Sequence, residues 1–164
     1  MYKNQSYKYF LNLISIFILL ILLDQSTKIY VAKIMINNNF QNIEILPFLN
    51  ITFVRNTGIS FGLFSDGGIF NRYFFTALAM IIGTTLLIIA LFNPEKLIQI
   101  SLLFISGGAI GNAIDRVYFG GVIDFIDFFI YNIHWSAFNF ADIFITVGVF
   151  FLLFENFFRK IKNV

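Results

Sequence analysis

Hydrophobic positions in this chain gather into four long runs instead of alternating with polar ones. They cover residues 10–23, with an extension through Lys28 to residue 31, then 74–92, 97–114 and 141–158. A bilayer core takes about 20 apolar residues per helix. The pattern therefore predicts transmembrane helices over about 10–31, 74–92, 97–116 and 141–158. The second run holds no ionisable residue, and "NPEK" at 93–96 parts it from the third, because a proline and a charge pair end one helix and admit the next.

Two longer connections remain, 32–73 and 117–140. Within the first, "LNITFV" has the β-branched and aromatic content of a strand between Asn- and Gly-containing turns, so a small extramembrane sheet is expected there. Four crossings place both termini on one side and both long connections on the other. Lys3, Lys8, Lys96, Arg159, Lys160 and Lys162 all fall in the short segments of the terminal side. The excess of basic residues in cytoplasmic segments makes that side the cytoplasm, N-in and C-in. Tyr30, Tyr73, Tyr118, Tyr131 and Trp135 stand at ends of apolar runs, as interfacial aromatics do. The lysines before "FLNLISIFILLILL" also suit a secretory signal, but "DQSTKIYVAK" follows where a small-residue cleavage site is required, so an uncleaved first helix is expected.

Composition agrees with the pattern. The 164 residues are 59% hydrophobic and 12% charged, which marks an integral membrane protein, read as a single domain over 1–164 with no internal repeat. A net charge of +2 without a basic stripe argues against nucleic acid as a partner. Zero cysteines exclude disulfides, thiolate metal sites and a cysteine nucleophile. The one histidine, His134, makes a poor zinc site, and Ser60 and Ser106 have no base at a suggestive spacing, so no metal and no cofactor are expected. Carboxylate chemistry is what remains.

The topology brings Asp24, Lys28, Asn112, Asp115, Arg116, Asp124 and Asp142 to one membrane face. A charge at membrane depth costs roughly 2.5 to 3.5 kcal/mol on insertion scales, so such a gathering needs a reason. Asp24 with Lys28, and Asn112 with Arg116, have the i,i+4 spacing that lets side chains meet on one helix face. Interfacial anchors that snorkel to water are the competing explanation for the charged pairs. The glycines of "GGAIG", with Gly108 among them, suit close helix packing. Two carboxylates held together cannot both ionise, and a pair sharing one proton can act as base and acid in a single step.

Taken in order, "DQSTK" (24–28), "NTGISFG" (56–62), "GGAIGNAIDR" (107–116), "VIDFID" (122–127) and "FNFAD" (138–142) resemble the blocks of lipoprotein signal peptidase, or signal peptidase II, along nearly the whole chain. The resemblance implies a bacterial inner-membrane aspartic endopeptidase acting on prolipoproteins. It would cleave before a cysteine that already carries diacylglycerol. The implied fold is a four-transmembrane-helix bundle with a small extracytoplasmic β-cradle and a short membrane-surface helix. By motif, Asp124 and Asp142 are the implied catalytic pair. Asn56, Asn112, Arg116 and Asn139 match groups that hold substrate or orient the dyad, and Asp24, Lys28 and Asp115 match supporting positions. The partners implied are the diacylglyceryl-modified precursor and membrane lipids, with the chain working as a monomer. Ile59, Ser60 and Phe140 depart from the smaller residues usual in the family. Asp127 matches no catalytic position and is read as solvated or pairing. A proton-coupled transporter using the same carboxylates as a relay is the alternative, and the lack of a repeat weighs against it.

Overall fold

The computed structural model describes residues 2–58 and 68–162. In chain order the elements are α1 (Tyr2–Asn37), β1 (Ile43–Leu46), β2 (Leu49–Asn56), α2 (Gly68–Phe92), α3 (Lys96–Phe119), β3 (Val122–Ile130), β4 (Ile133–His134) and α4 (Phe140–Lys162). The short membrane-surface helix that the resemblance implies, and with it Ile59 and Ser60, falls outside the described residues.

All four helices are long and apolar enough to cross a membrane. All four run past the apolar stretches that announce them. At 36 residues α1 is about 54 Å long, well beyond a hydrocarbon core of about 30 Å. Asp24 and Lys28 do not end it, because both side chains are satisfied inside the protein. The far end of α1 then has a second use. Val31 and Met35 pack on Phe125 of β3, with Ile43, Ile51 and Phe140 around them, so the helix seats the sheet.

The sheet is antiparallel with strand order β1-β2-β3-β4. Its centre, β3, comes from a stretch expected only to be a connection. Between the pairs Ile51–Ile126 and Val54–Asp124 the register slips by one residue on β2. Such a bulge re-aims side chains beside it, and here it lies next to Asp124.

Helix α3 is the buried centre of the bundle, packed against α1, α2 and α4. Its small residues permit this. A Cβ on Gly108 would run into the backbone carbonyl of Ala141 at the start of α4, and one on Gly111 would lie 2.6 Å from Asp24 Oδ2. Ser106 Oγ donates to Gly83 O of α2 at 2.6 Å. At its end α3 turns sharply through Gly120 (φ +76°) straight into β3. Arg72 of α2 donates to the last carbonyls of α3, those of Arg116 and Val117.

Candidate active site

The site is built where α4 begins. An exposed N-terminal turn would leave backbone N–H groups to water, but this turn is buried and must be capped by protein. "FNFAD" supplies a reciprocal cap. Asn139 Oδ1 accepts from Asp142 N at 3.0 Å while Asp142 Oδ2 accepts from Asn139 N at 3.1 Å, the geometry of a capping box with Asn and Asp in its two places. The N–H of Ala141 between them donates to Asp24 Oδ1 at 2.9 Å. The positive end of the helix dipole also favours a carboxylate at Asp142.

Asn139 is fully buried and reaches a second carboxylate with its other amide atom: Nδ2 donates to Asp124 Oδ1 at 2.7 Å. One residue thus binds Asp142 through its backbone N–H and Asp124 through its side chain. The other carboxylate oxygens are also held. Asn56 Nδ2, delivered by β2, donates to Asp124 Oδ2 at 3.1 Å, and Asn112 Nδ2 of α3 donates to Asp142 Oδ1 at 2.9 Å. Asp124 is 2% exposed and lies on a strand, which rules out a solvated loop carboxylate. Burial, and after it the charge of Asp142, push its pKa up to about 7 against the hydrogen bonds from Asn56 and Asn139 that favour the ionised form.

Behind this pair stands a buried ionic cluster. Lys28 Nζ lies 2.8 Å from Asp24 Oδ2, 2.7 Å from Asp115 Oδ2 and 2.9 Å from Asn112 Oδ1. Lysine only donates, so it forces the amide oxygen of Asn112 toward itself and turns Nδ2 toward Asp142. Snorkelling is therefore not what Asp24 and Lys28 do; both are buried and their charges meet inside the protein. Asp115 pairs with Lys28 and also accepts from Ile123 N at 3.2 Å, which ties α3 to the strand carrying Asp124.

Arg116 is buried close enough to Asp124 and Asp142 to feel both charges. It forms no ion pair with them; Nη2 donates to Gly58 O at 3.0 Å and Nη1 to Asn112 O at 3.3 Å. Among the described residues its Nε has no hydrogen-bond partner. A cleft of about 630 Å³ opens over the two carboxylates. Asn56, Asn112 and Arg116 line its polar end, while Ile143, Ile145 and Val147 of α4 continue it along a membrane-spanning helix.

Asp124, Asp142, Asn56, Asn112, Asn139 and Arg116 thus gather at the cleft, with Asp24, Lys28 and Asp115 in the cluster behind it. Gly108 lies at the crossing of α3 and α4 and serves packing. Asp127 is buried and paired with His134, 2.9 Å from its Nδ1, and also accepts from Asn50 Nδ2 at 3.3 Å. Two contributors escaped the sequence reading. Gln25 Nε2 donates to Asp115 Oδ1 at 2.9 Å and to Gly111 O at 3.1 Å, and its place beside Asp24 in "DQSTK" was the available signal. Arg72, the other, sits before an apolar run with nothing local to mark it.

A family model described as Signal peptidase (SPase) II matches residues 16–158. Similar proteins include a lipoprotein signal peptidase of Burkholderia thailandensis, 42% identical over 153 residues, which are 92% of this chain and 89% of that one. Another, from Alteromonas mediterranea, is 40% identical over 138 residues, 83% of this chain and 75% of the relative. A solved bacterial membrane enzyme, determined by the in meso method at 2.3 Å, superposes with a TM-score of 0.73 at 32% identity, covering 89% of this chain and 87% of that one. A second, at 1.9 Å, gives a TM-score of 0.72 at 33% identity, covering 88% of this chain and 91% of that one.

Proposed function

The chain belongs to the signal peptidase II family, and on that premise we propose that it is an aspartic endopeptidase removing signal peptides from diacylglyceryl-modified prolipoproteins. In this reading it works as a single domain over 1–164 in the bacterial inner membrane, N-in and C-in, with the sheet on the extracytoplasmic side. The observation that carries the proposal is Asn139 bridging two carboxylates, Asp124 and Asp142, at the head of a cleft that runs down a membrane-spanning helix.

With its pKa pushed up to about 7 by burial and by the neighbouring Asp142, Asp124 exchanges between its protonated and ionised forms near neutral pH, so it can hold the shared proton. The ionised member takes a proton from water, whose oxygen attacks the scissile carbonyl carbon. The protonated member hydrogen-bonds the carbonyl oxygen as it gains negative charge. When the tetrahedral intermediate collapses, a proton passes from the dyad to the departing amine of the lipidated cysteine. Asn56, Asn112 and Asn139 keep the carboxylates fixed through these transfers, and the Arg116 guanidinium supplies positive charge beside the developing oxyanion. The apolar wall of Ile143, Ile145 and Val147 accepts acyl chains from the bilayer side.

Offering the purified protein one precursor peptide with and without diacylglycerol on its cysteine tests the substrate class. Cleavage of the lipidated form alone, just before that cysteine, is the expected result. Equal cleavage of both forms, or of neither, would defeat the proposal.

A pH profile tests the shared proton. Activity is expected to fall as pH rises through about 7, because the dyad then loses the proton that polarises the carbonyl. Stability follows the same sign. The folded pKa of Asp124 lies above the ordinary 3.8, so folding is favoured most below 3.8 and loses that contribution as pH rises toward about 7. Asp124→Asn removes this dependence, and thermal melting at pH 8 should show the variant no less stable than the parent chain.

A further inference from the structure

The hairpin of β3 and β4 is dressed for a membrane and not for water. Residues 128–141, "FFIYNIHWSAFNFA", contain no Asp, Glu, Lys or Arg. Large side chains at its tip stand open: Ile130 is 71% exposed, Tyr131 92%, Ile133 79% and Trp135 65%. An apolar surface of this kind marks an interaction site. The histidine in the stretch, His134, is occupied, held by Asp127 and stacked on Phe129 with ring centroids 5.2 Å apart. Beneath the tip Phe48, Phe128 and Phe138 stack in series, at 6.4 Å and 5.8 Å, along an apolar cleft of about 760 Å³.

The turn adds a second observation. Ile130 pairs with Ile133, so Tyr131 and Asn132 form a two-residue turn, and Tyr131 has φ +54°. Glycine takes that backbone conformation without steric cost, whereas a tyrosine is strained in it. An exposed, strained tyrosine gains nothing from water. At a membrane–water interface an aromatic ring with a hydroxyl is favoured.

The occupant follows from continuity. Trp135 and Phe138, which line the hairpin cleft, also line the cleft over the two carboxylates. That second cleft is also lined by Ile143, Ile145 and Val147 of α4, a helix long and apolar enough to cross the bilayer. Apolar surface therefore runs unbroken from a bilayer-facing helix to the hairpin tip.

We propose that the β3–β4 hairpin is a lipid-inserted wedge. Ile130, Tyr131, Ile133 and Trp135 sit at the headgroup–acyl boundary of the leaflet on the side of the sheet, next to the mouth of the carboxylate cleft. The wedge holds the 135–138 segment at the depth where a lipidated cysteine lies. It takes from the peptidase reading the placement of the helices in a bilayer and the lipidated cysteine as the group the cleft receives, while the insertion of the hairpin itself rests on the exposed apolar tip.

Trp135 is the single tryptophan of the chain, so intrinsic emission reports this site alone. The full-length protein, reconstituted in phosphatidylcholine vesicles brominated at shallow or deep acyl positions, should lose roughly half its emission with the shallow lipid and less with the deep one, as expected for burial of about 5–10 Å. Ile130→Asp with Ile133→Asp should relieve that quenching and open Trp135 to aqueous iodide. Emission indifferent to both bromolipids and fully quenched by iodide in the parent chain would overturn the proposal, whether or not the double variant folds. So would protection from iodide that arises only on adding a lipidated precursor, since the cleft would then belong to substrate. The same measurement on the Asp124→Asn chain needs no catalysis, so a failed peptidase assignment leaves the result interpretable.

Discussion

Asp124→Asn and Asp142→Asn should each reduce cleavage of a lipidated precursor by at least ~10³-fold, within the range for losing a general acid or base. Asparagine matches aspartate in shape, so the cleft is retained while the proton chemistry is lost. The two effects should not add: either variant leaves a site unable to shuttle one proton between two carboxylates, and the double variant should be no worse than the single ones. Asp127→Asn supplies the control. It lies on the same strand as Asp124, but its partners are His134 and Asn50, neither of which touches the dyad. Most activity should survive there. Near-parental turnover in either dyad variant, measured on protein whose thermal melting shows it folded, would sink the assignment.

Lys28→Met should destabilise the protein by about 3–5 kcal/mol, the usual cost of removing one partner from a buried ionic group. Asp24, Lys28 and Asp115 are all fully buried, and the lysine is the cation facing both carboxylates. Without it, two negative charges confront each other in a low-dielectric interior. The loss corresponds to a fall in melting temperature on the order of 10 °C. Activity should fall too, because the Asn112 amide loses the donor that sets its orientation toward Asp142. Adding Asp24→Asn and Asp115→Asn to Lys28→Met should restore much of the stability, since replacing a whole buried ion group is often close to neutral. A Lys28→Met protein that melts like the parent would show that the charges do not meet in the interior.

Much of the site was readable in short stretches. Asn139 and Asp142 are i,i+3, the spacing of a helix cap, and Asp24 and Lys28 are i,i+4, a helix-face spacing; both pairs meet as the spacing implies. The longer reaches were not. Nothing near Asp115 says that it turns to Lys28, 87 residues earlier, and not to Arg116 beside it. "VIDFIDFFI" has two aspartates among apolar residues, which reads as a connection because a strand interior should not strand charges. It is a strand because Asn56 and Asn139 satisfy one carboxylate, and Asn50 and His134 the other.

By itself the sequence determined four membrane-length helices, a sheet element at "LNITFV", the exclusion of cysteine chemistry, and the motif blocks that mark the family. Hydropathy summed over 20 or so residues and contacts within one helical turn are local quantities, and the chain states them directly. Only the tertiary structure decided that Lys28 is buried, that Asn139 joins Asp124 to Asp142, and that Asp127 is spoken for by a histidine. The physical reason is the cost of desolvating charge. A carboxylate enters a low-dielectric interior only where donors arrive from other elements, and those arrivals depend on strand register and helix crossing, which no local pattern records.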